Sequence, residues 1–126
     1  MTRTPRRVTL LASFGYALRG IWLVARAERN FQIHMVAVPF VIIMAYWLQC
    51  TTSEWAILCL AMGLVLVAEA LNTAIELVVD LVSPEFNTLA GHAKDVAAGG
   101  VLLAAITAVV VALWILGPPL YQRIIV

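Results

Sequence analysis

Trp55-Ala-Ile-Leu-Cys-Leu-Ala-Met-Gly-Leu-Val-Leu-Val-Ala-Glu69-Ala-Leu-Asn72-Thr73-Ala-Ile-Glu76-Leu-Val-Val-Asp80 is long and apolar enough to cross a bilayer, yet its second half holds three carboxylates, an amide and a hydroxyl. A span needs roughly 20 apolar residues. A carboxylate facing hydrocarbon costs several kcal/mol unless it is paired or solvated. At about 100° per residue, Glu69, Asn72, Glu76 and Asp80 fall within an arc of roughly 80°, while Val67, Ala70, Leu71, Ala74, Leu77 and Val78 fill the other faces. One face of this helix is therefore acidic and cannot face lipid. If the hydrocarbon begins near Ala56, about 20 residues end it near Ile75. Glu76 and Asp80 then reach the interface, and Glu69 lies roughly 9 Å inside it.

The rest of the chain follows the same solvent. Of 126 residues, 63% are hydrophobic and 12% charged, the composition of a membrane protein, and the length allows one domain over residues 1–126. A first span is expected over about 31–48, short and containing Pro39, and a second over about 55–80. A third is expected over about 96–116, stopped by Gly117-Pro118-Pro119, a strong helix terminator. The loop Leu81–Asp95 joins the last two, so that Lys94 and Asp95 open the third span. Ahead of the spans, over about 8–27, Leu11, Phe14, Leu18, Ile21, Trp22 and Ala25 recur at three and four residues among Arg19 and Arg26. That pattern predicts an amphipathic helix lying in the membrane interface. Those arginines interrupt the segment and no small-residue cleavage site follows it, so no secretory signal peptide is expected. The fold class is all-α: three transmembrane helices plus an N-terminal amphipathic surface helix.

Net charge is only +1, but six of the eight basic residues, Arg3, Arg6, Arg7, Arg19, Arg26 and Arg29, precede the first span. Arg3, Arg6 and Arg7 read as an anchor on anionic lipid. The loop Gln49–Glu54 has no basic residue, and the tail after the third span has only Arg123. The positive-inside rule then places the N-terminus and the Leu81–Asp95 loop in the cytoplasm and the C-terminus outside. No nucleic-acid partner is expected.

The cytoplasmic face gathers a chemical set. Hard oxygen ligands such as Glu28 and Glu76 suit Mg²⁺, which takes one or two carboxylates plus phosphate oxygens. Lys94, next to Asp95, can neutralise phosphate charge. Glu69, deeper, can accept a proton from a hydroxyl. Together they point to phosphoryl transfer from Mg-ATP to a membrane-embedded alcohol. No Walker A sequence or Gly-rich kinase loop is present, so such a kinase is of another type. His34 and His92 read as interfacial hydrogen-bonders, not metal ligands, since no His pair has ligand spacing. Cys50 and Cys59 read as packing residues. Ala97, Ala98, Gly99 and Gly100 read as permitting close helix approach.

Two other readings fit parts of this pattern. A proton-coupled transporter or channel subunit would also need an acidic stripe in a span, but not Glu28, Lys94 and Asp95 gathered on one face. A non-catalytic partner in a helix bundle would use intramembrane polar residues only as hydrogen-bonding glue.

Glu69-Ala-Leu-Asn-Thr-Ala-Ile-Glu-Leu-Val-Val-Asp80 resembles the signature of the small bacterial integral-membrane diacylglycerol kinases, as does Ala93-Lys-Asp-Val-Ala-Ala-Gly99. Gly15-Tyr-Ala-Leu-Arg-Gly20, Glu28 and Ser83-Pro-Glu-Phe86 extend the likeness over nearly the whole chain. The resemblance implies a homotrimer in the bacterial cell membrane with active sites shared between neighbouring subunits. It implies Glu69 as the catalytic base, Glu28 and Glu76 as the metal ligands, and Asn72 in support of the same site. Tyr16, Glu85, Phe86, Asn87, Lys94 and Asp95 are implied as further contacts to ATP. Asn30, Phe31, His34, Trp47 and Ala98 are implied, with Glu69, as contacts to the lipid substrate.

The chain departs from the family pattern at four positions. Thr9 and Ala12 are uncharged where members acting on diacylglycerol can carry basic residues, Phe86 stands where Tyr is common, and Asn87 where His occurs. Ala27-Glu-Arg-Asn-Phe-Gln-Ile-His34 resembles the E-R-N-F-R-I-H segment of the undecaprenol kinase branch, and Ser53-Glu-Trp55 and Gly63-Leu-Val-Leu66 point the same way. The implied reaction is ATP- and Mg²⁺-dependent phosphorylation of a lipid alcohol, undecaprenol favoured over diacylglycerol.

Overall fold

The computed structural model describes residues 9–125, which form four helices: α1 (Leu10–Ala27), α2 (Arg29–Trp47), α3 (Thr52–Val82) and α4 (Thr88–Ile125). The three expected spans and the surface helix are all present. The anchor arginines Arg3, Arg6 and Arg7 lie outside the described residues. α2, α3 and α4 are each long and apolar enough to cross a membrane. α3 and α4 form the main interface, and α2 packs on both.

α1 begins at Thr9, whose side-chain oxygen accepts from the Ala12 N–H at 3.4 Å. Its Leu10, Leu11, Phe14, Leu18, Ile21 and Trp22 are exposed, as an interfacial helix requires of its lipid face. The Arg26 guanidinium lies 5.0 Å from the Trp22 ring centre. The chain then breaks at Glu28, which has extended backbone. Gln32 straps this elbow: its side-chain amide donates to the carbonyls of Ala25 and Arg26 at 3.1 and 3.3 Å. Those carbonyls at the end of α1 have no helical partner. Val24 and Phe31 are buried on either side of the bend.

α2 has 19 residues, about 28 Å at 1.5 Å rise, close to the thickness of the hydrocarbon layer. Pro39 lies inside it and removes one ladder bond without ending the helix. The turn out of α2 is a Schellman motif: Cys50 N–H donates to Ala45 O at 3.0 Å and Gln49 N–H to Tyr46 O at 3.1 Å. Gln49 occupies the left-handed position, φ 58°, where glycine is usual.

A capping box then starts α3. Thr51 N–H donates to Glu54 Oε2 at 2.7 Å, and Glu54 N–H donates back to Thr51 Oγ1 at 3.4 Å. Thr51→Ala removes the hydroxyl acceptor and should lower stability by about 0.5–2 kcal/mol. Thermal unfolding in detergent checks this, with activity per folded molecule unchanged.

Three expectations need correction here. The loop before α4 is only 83–87, because Asn87 starts the helix early: its Oδ1 accepts from Leu89 N–H at 2.9 Å and Ala90 N–H at 3.3 Å. Lys94 and Asp95 therefore sit in the second turn of α4, not at its start. Gly117-Pro118-Pro119 does not stop α4, which continues to Ile125. The prolines lack the N–H groups that would reach the Trp114 and Ile115 carbonyls. The last turn is held from outside: Arg123 donates to the Trp47 carbonyl at 2.8 Å and stacks 5.1 Å from the Trp47 ring centre.

The core is small. Ala45, Leu58 and Ile115 are buried beneath Val41, Trp55, Met62 and Val111, near the Trp47–Trp55 hairpin. Cys50 packs against this cluster as expected, and burial, with Glu54 nearby, pushes its thiol up and leaves it a poor nucleophile. Cys59, by contrast, faces outward from α3. A Cβ added at Gly99 or Gly100 would meet nothing within 4 Å, so these glycines serve no close helix approach within one chain.

Candidate active site

α3 has 31 residues, about 46 Å, and outruns a hydrocarbon layer of about 30 Å. Its polar residues lie in its C-terminal half, beside the Glu28 elbow. Glu69 is buried, only 2% exposed, and faces α2, where His34 Nε2 lies 3.4 Å from its Oε1. The ring N–H is not aligned on that oxygen, and Oε1 has no hydrogen-bond partner among the described residues. Thr73, also buried, spends its hydroxyl on the Glu69 carbonyl oxygen at 3.0 Å. Asn72 Nδ2 donates to Glu76 Oε1 at 2.8 Å, one turn up the same face. Asn72 Oδ1 is buried and unpartnered among the described residues.

The ionisable neighbours of Glu69 are His34, Glu28 and Glu76. Three carboxylates thus come from α3 and the elbow: Glu69 deep, Glu76 about 10 Å farther along the α3 axis, and Glu28 at the bend. Farther out, Lys94 Nζ reaches Asp80 Oδ1 at 2.6 Å across α3 and α4. Asp80 is thus paired with a basic residue of the neighbouring helix. Both partners are solvent-exposed enough that the pair contributes at most about 1 kcal/mol, so Lys94 can exchange it for a phosphate.

Glu85 and Phe86 are exposed in the 83–87 link, Phe86 almost entirely. Together with Asp80, Asn87 and Lys94 they line an open cleft of about 250 Å³ at this end. The Asn87 side chain is already committed to capping α4. Tyr16 stands exposed on α1, and Asp95 and Ala98 are exposed on α4. Asn30 is exposed at the start of α2, and Phe31 is buried beside it. Trp47 is not brought to Glu69. It lies 13 residues beyond His34, about 20 Å along α2, at the opposite end under Arg123.

Below His34 runs an apolar slot of about 150 Å³ between α2, α3 and α4. Its walls are mostly small: Ala37, Ala61, Ala105, Ala108 and Ala112 leave the space, with Val65 and Met62 beside them. His34 thus lines one end of the slot and lies against the buried carboxylate. The contact of His34 with Glu69 is not readable from either sequence segment alone. The Asn87 cap is: Asn before an apolar periodic run is a helix-start signal.

Among the described residues, no three His, Cys, Asp or Glu side chains form a metal cage. The donor set still fits Mg²⁺. Glu28 and Glu76 supply hard carboxylate oxygens, the buried Asn72 Oδ1 lacks a donor, and Mg²⁺ binds through one or two carboxylates plus substrate phosphates rather than in an all-protein cage.

Residues 15–116 match the family model described as prokaryotic diacylglycerol kinase. The chain is 44% identical over 108 residues to the undecaprenol kinase of Bacillus subtilis, covering 86% of this chain and 88% of that protein. It is 45% identical over 117 residues to a diacylglycerol kinase of Synechocystis sp., covering 92% and 67%. The diacylglycerol kinase of Escherichia coli K12 is 35% identical over 101 residues, covering 80% and 83%.

Proposed function

From the premise that this chain belongs to the prokaryotic diacylglycerol kinase family of membrane lipid kinases, we propose that it moves the γ-phosphoryl group of Mg-ATP to the hydroxyl of a lipid alcohol, undecaprenol before diacylglycerol. The observation that carries this reading is the buried Glu69 carboxylate beside His34, a residue that lines an apolar slot. Membership in a family of lipid kinases sets aside the transporter and the inert bundle partner.

The lipid tail lies in the slot and its hydroxyl reaches Glu69. The hydroxyl oxygen bonds to the γ-phosphorus, its proton goes to the Glu69 carboxylate, and the bond from the γ-phosphorus to the bridging oxygen of ADP breaks. Glu28 and Glu76, with Asn72, would hold Mg²⁺, which when bound would neutralise phosphate charge. Lys94 leaves Asp80 to meet a phosphate oxygen. Tyr16, Glu85, Phe86, Asn87 and Asp95 border the nucleotide. Asn30, Phe31, His34, Trp47 and Ala98 border the lipid, with Trp47 placed to meet only the far part of a long tail. Catalysis is then positioning, charge neutralisation and one base.

A slot of about 150 Å³ takes one isoprene-sized unit of a tail, which is compatible with undecaprenol. The undecaprenol-branch segment Glu28-Arg-Asn-Phe-Gln-Ile-His34 supports the same choice. Ala108→Phe fills the slot and should raise the apparent KM for undecaprenol about tenfold or more, the weight of one or two buried methylenes. KM for ATP should stay fixed.

The whole chain, residues 1–126, works as one domain in a bacterial cell membrane, with N-terminus and active site cytoplasmic and C-terminus outside. The arginine asymmetry supports that orientation. The working unit is a homotrimer with shared sites. Supporting it, a groove of about 520 Å³ between α3 and α4 runs past Asn72 over Ala97, Gly100 and Ala104, a floor that admits a neighbouring helix.

Labelled γ-phosphate from ATP, offered with undecaprenol and diacylglycerol side by side in mixed micelles, tests the reading. Transfer that is faster to undecaprenol supports it in full. Faster transfer to diacylglycerol overturns the lipid choice, and transfer to neither overturns both substrates.

A further inference from the structure

We propose that His34 is the positioning residue for Glu69: its Nε2–H holds Glu69 Oε1, so that Oε2 faces the hydroxyl arriving from the slot. This rests on the lipid-kinase reading above, with Glu69 as base.

A buried carboxylate oxygen needs a hydrogen-bond donor, and Glu69 Oε1 is fully shielded with none aligned on it. The polar side chains nearest on α3 are committed elsewhere. Thr73 donates to the Glu69 main-chain carbonyl, and the Asn72 amide donates to Glu76. From the elbow, Glu28 brings only acceptors when ionised. On α2, His34 alone brings a donor to that oxygen, with Nε2 at 3.4 Å. A small rotation of the ring turns its N–H onto the oxygen.

Placement adds a second, independent observation. The His34 ring is half-buried and also lines the apolar slot. One side chain therefore borders both the base and the path of the tail. Fixing Oε1 fixes the plane of the carboxylate, and a general base works only when its lone pair meets the proton it takes. The role is distinct from bordering the lipid, because it requires an N–H rather than bulk.

Two variants separate these roles. His34→Leu keeps apolar volume and lacks the N–H; His34→Gln restores a donor on a flexible stem. His34→Leu should lower kcat about 10²-fold, the usual loss for a misplaced reacting group, with KM for Mg-ATP unchanged and thermal stability kept. His34→Gln should recover most of that kcat. Equal losses in both variants, or an unchanged kcat in His34→Leu, would overturn the proposal.

A second measurement needs no turnover. In ¹⁵N-histidine-labelled protein, the His34 ring resonances should shift in Glu69→Gln while those of His92 stay put. Identical His34 resonances in the two proteins would overturn the contact. Failure of the underlying reading is seen separately, as absence of phosphate transfer by the unmodified protein. Failure of this proposal alone is an active protein that tolerates His34→Leu.

Discussion

Glu69→Gln should abolish measurable phosphoryl transfer, a loss of about 10²–10⁴-fold, which is what a positioned general base contributes. The substitution is nearly isosteric at a residue only 2% exposed, so packing against α2 is kept. The amide oxygen can still accept from His34. What is lost is the carboxylate to which the proposed mechanism gives the hydroxyl proton. Nucleotide affinity should change little, since Glu69 lies about 10 Å below Glu76 along the helix. Thermal stability should hold or rise, because a buried charge with poor hydrogen bonding is replaced by a neutral group. Single-turnover transfer and ATP binding on the same preparation check both halves. Full activity would remove Glu69 from the mechanism.

Glu76→Gln should act on the other substrate. The Mg²⁺ concentration giving half-maximal rate should rise by at least about tenfold, the lower end of losses when a metal-site carboxylate is disturbed. Here too the fold is spared: Gln at this position still accepts the Asn72 Nδ2 hydrogen bond that Glu76 Oε1 now accepts at 2.8 Å. The charge is removed and the local geometry stays, so the readout reports ligation rather than collapse. Lipid KM should be unaffected. A Mg²⁺ titration that overlays the unmodified protein would exclude Glu76 as a ligand. The two variants thus separate the proton step from the metal step with one assay.

The sequence made the spans legible because hydrocarbon leaves little choice: runs of roughly 20 apolar residues must be helices. The polar arc on α3 was legible for the same reason, since its spacing sets Glu69, Asn72 and Glu76 on one face whatever else packs nearby. Helix ends were less so. Gly117-Pro118-Pro119 reads locally as a stop, yet Arg123 clasps Trp47, a residue 76 positions away, and the helix continues. Gln49 takes a left-handed turn that glycine usually marks, because the Schellman bonds to Ala45 and Tyr46 outweigh its own preference. The Asn87 cap was available in the sequence, but the charged and polar loop residues around it drew the boundary too late. Contacts between helices were legible only in part. Asp80 with Lys94 follows from opposite charges on adjoining helices, whereas His34 against Glu69 depends on how α2 is rotated, which its weakly patterned apolar surface does not specify.

In the proposed reaction, the 31 residues of α3 carry Glu76 and Asp80 to the level of the headgroups and keep Glu69 roughly 9 Å beneath them. A lipid phosphorylated there acquires its two charges where phospholipids already keep theirs. The product never has to drag a dianion through oil, and it stays in the leaflet that supplied the alcohol. In that reaction its escape would be sideways, by the same gap between helices that admits the tail, and turnover would need no flip-flop and no channel.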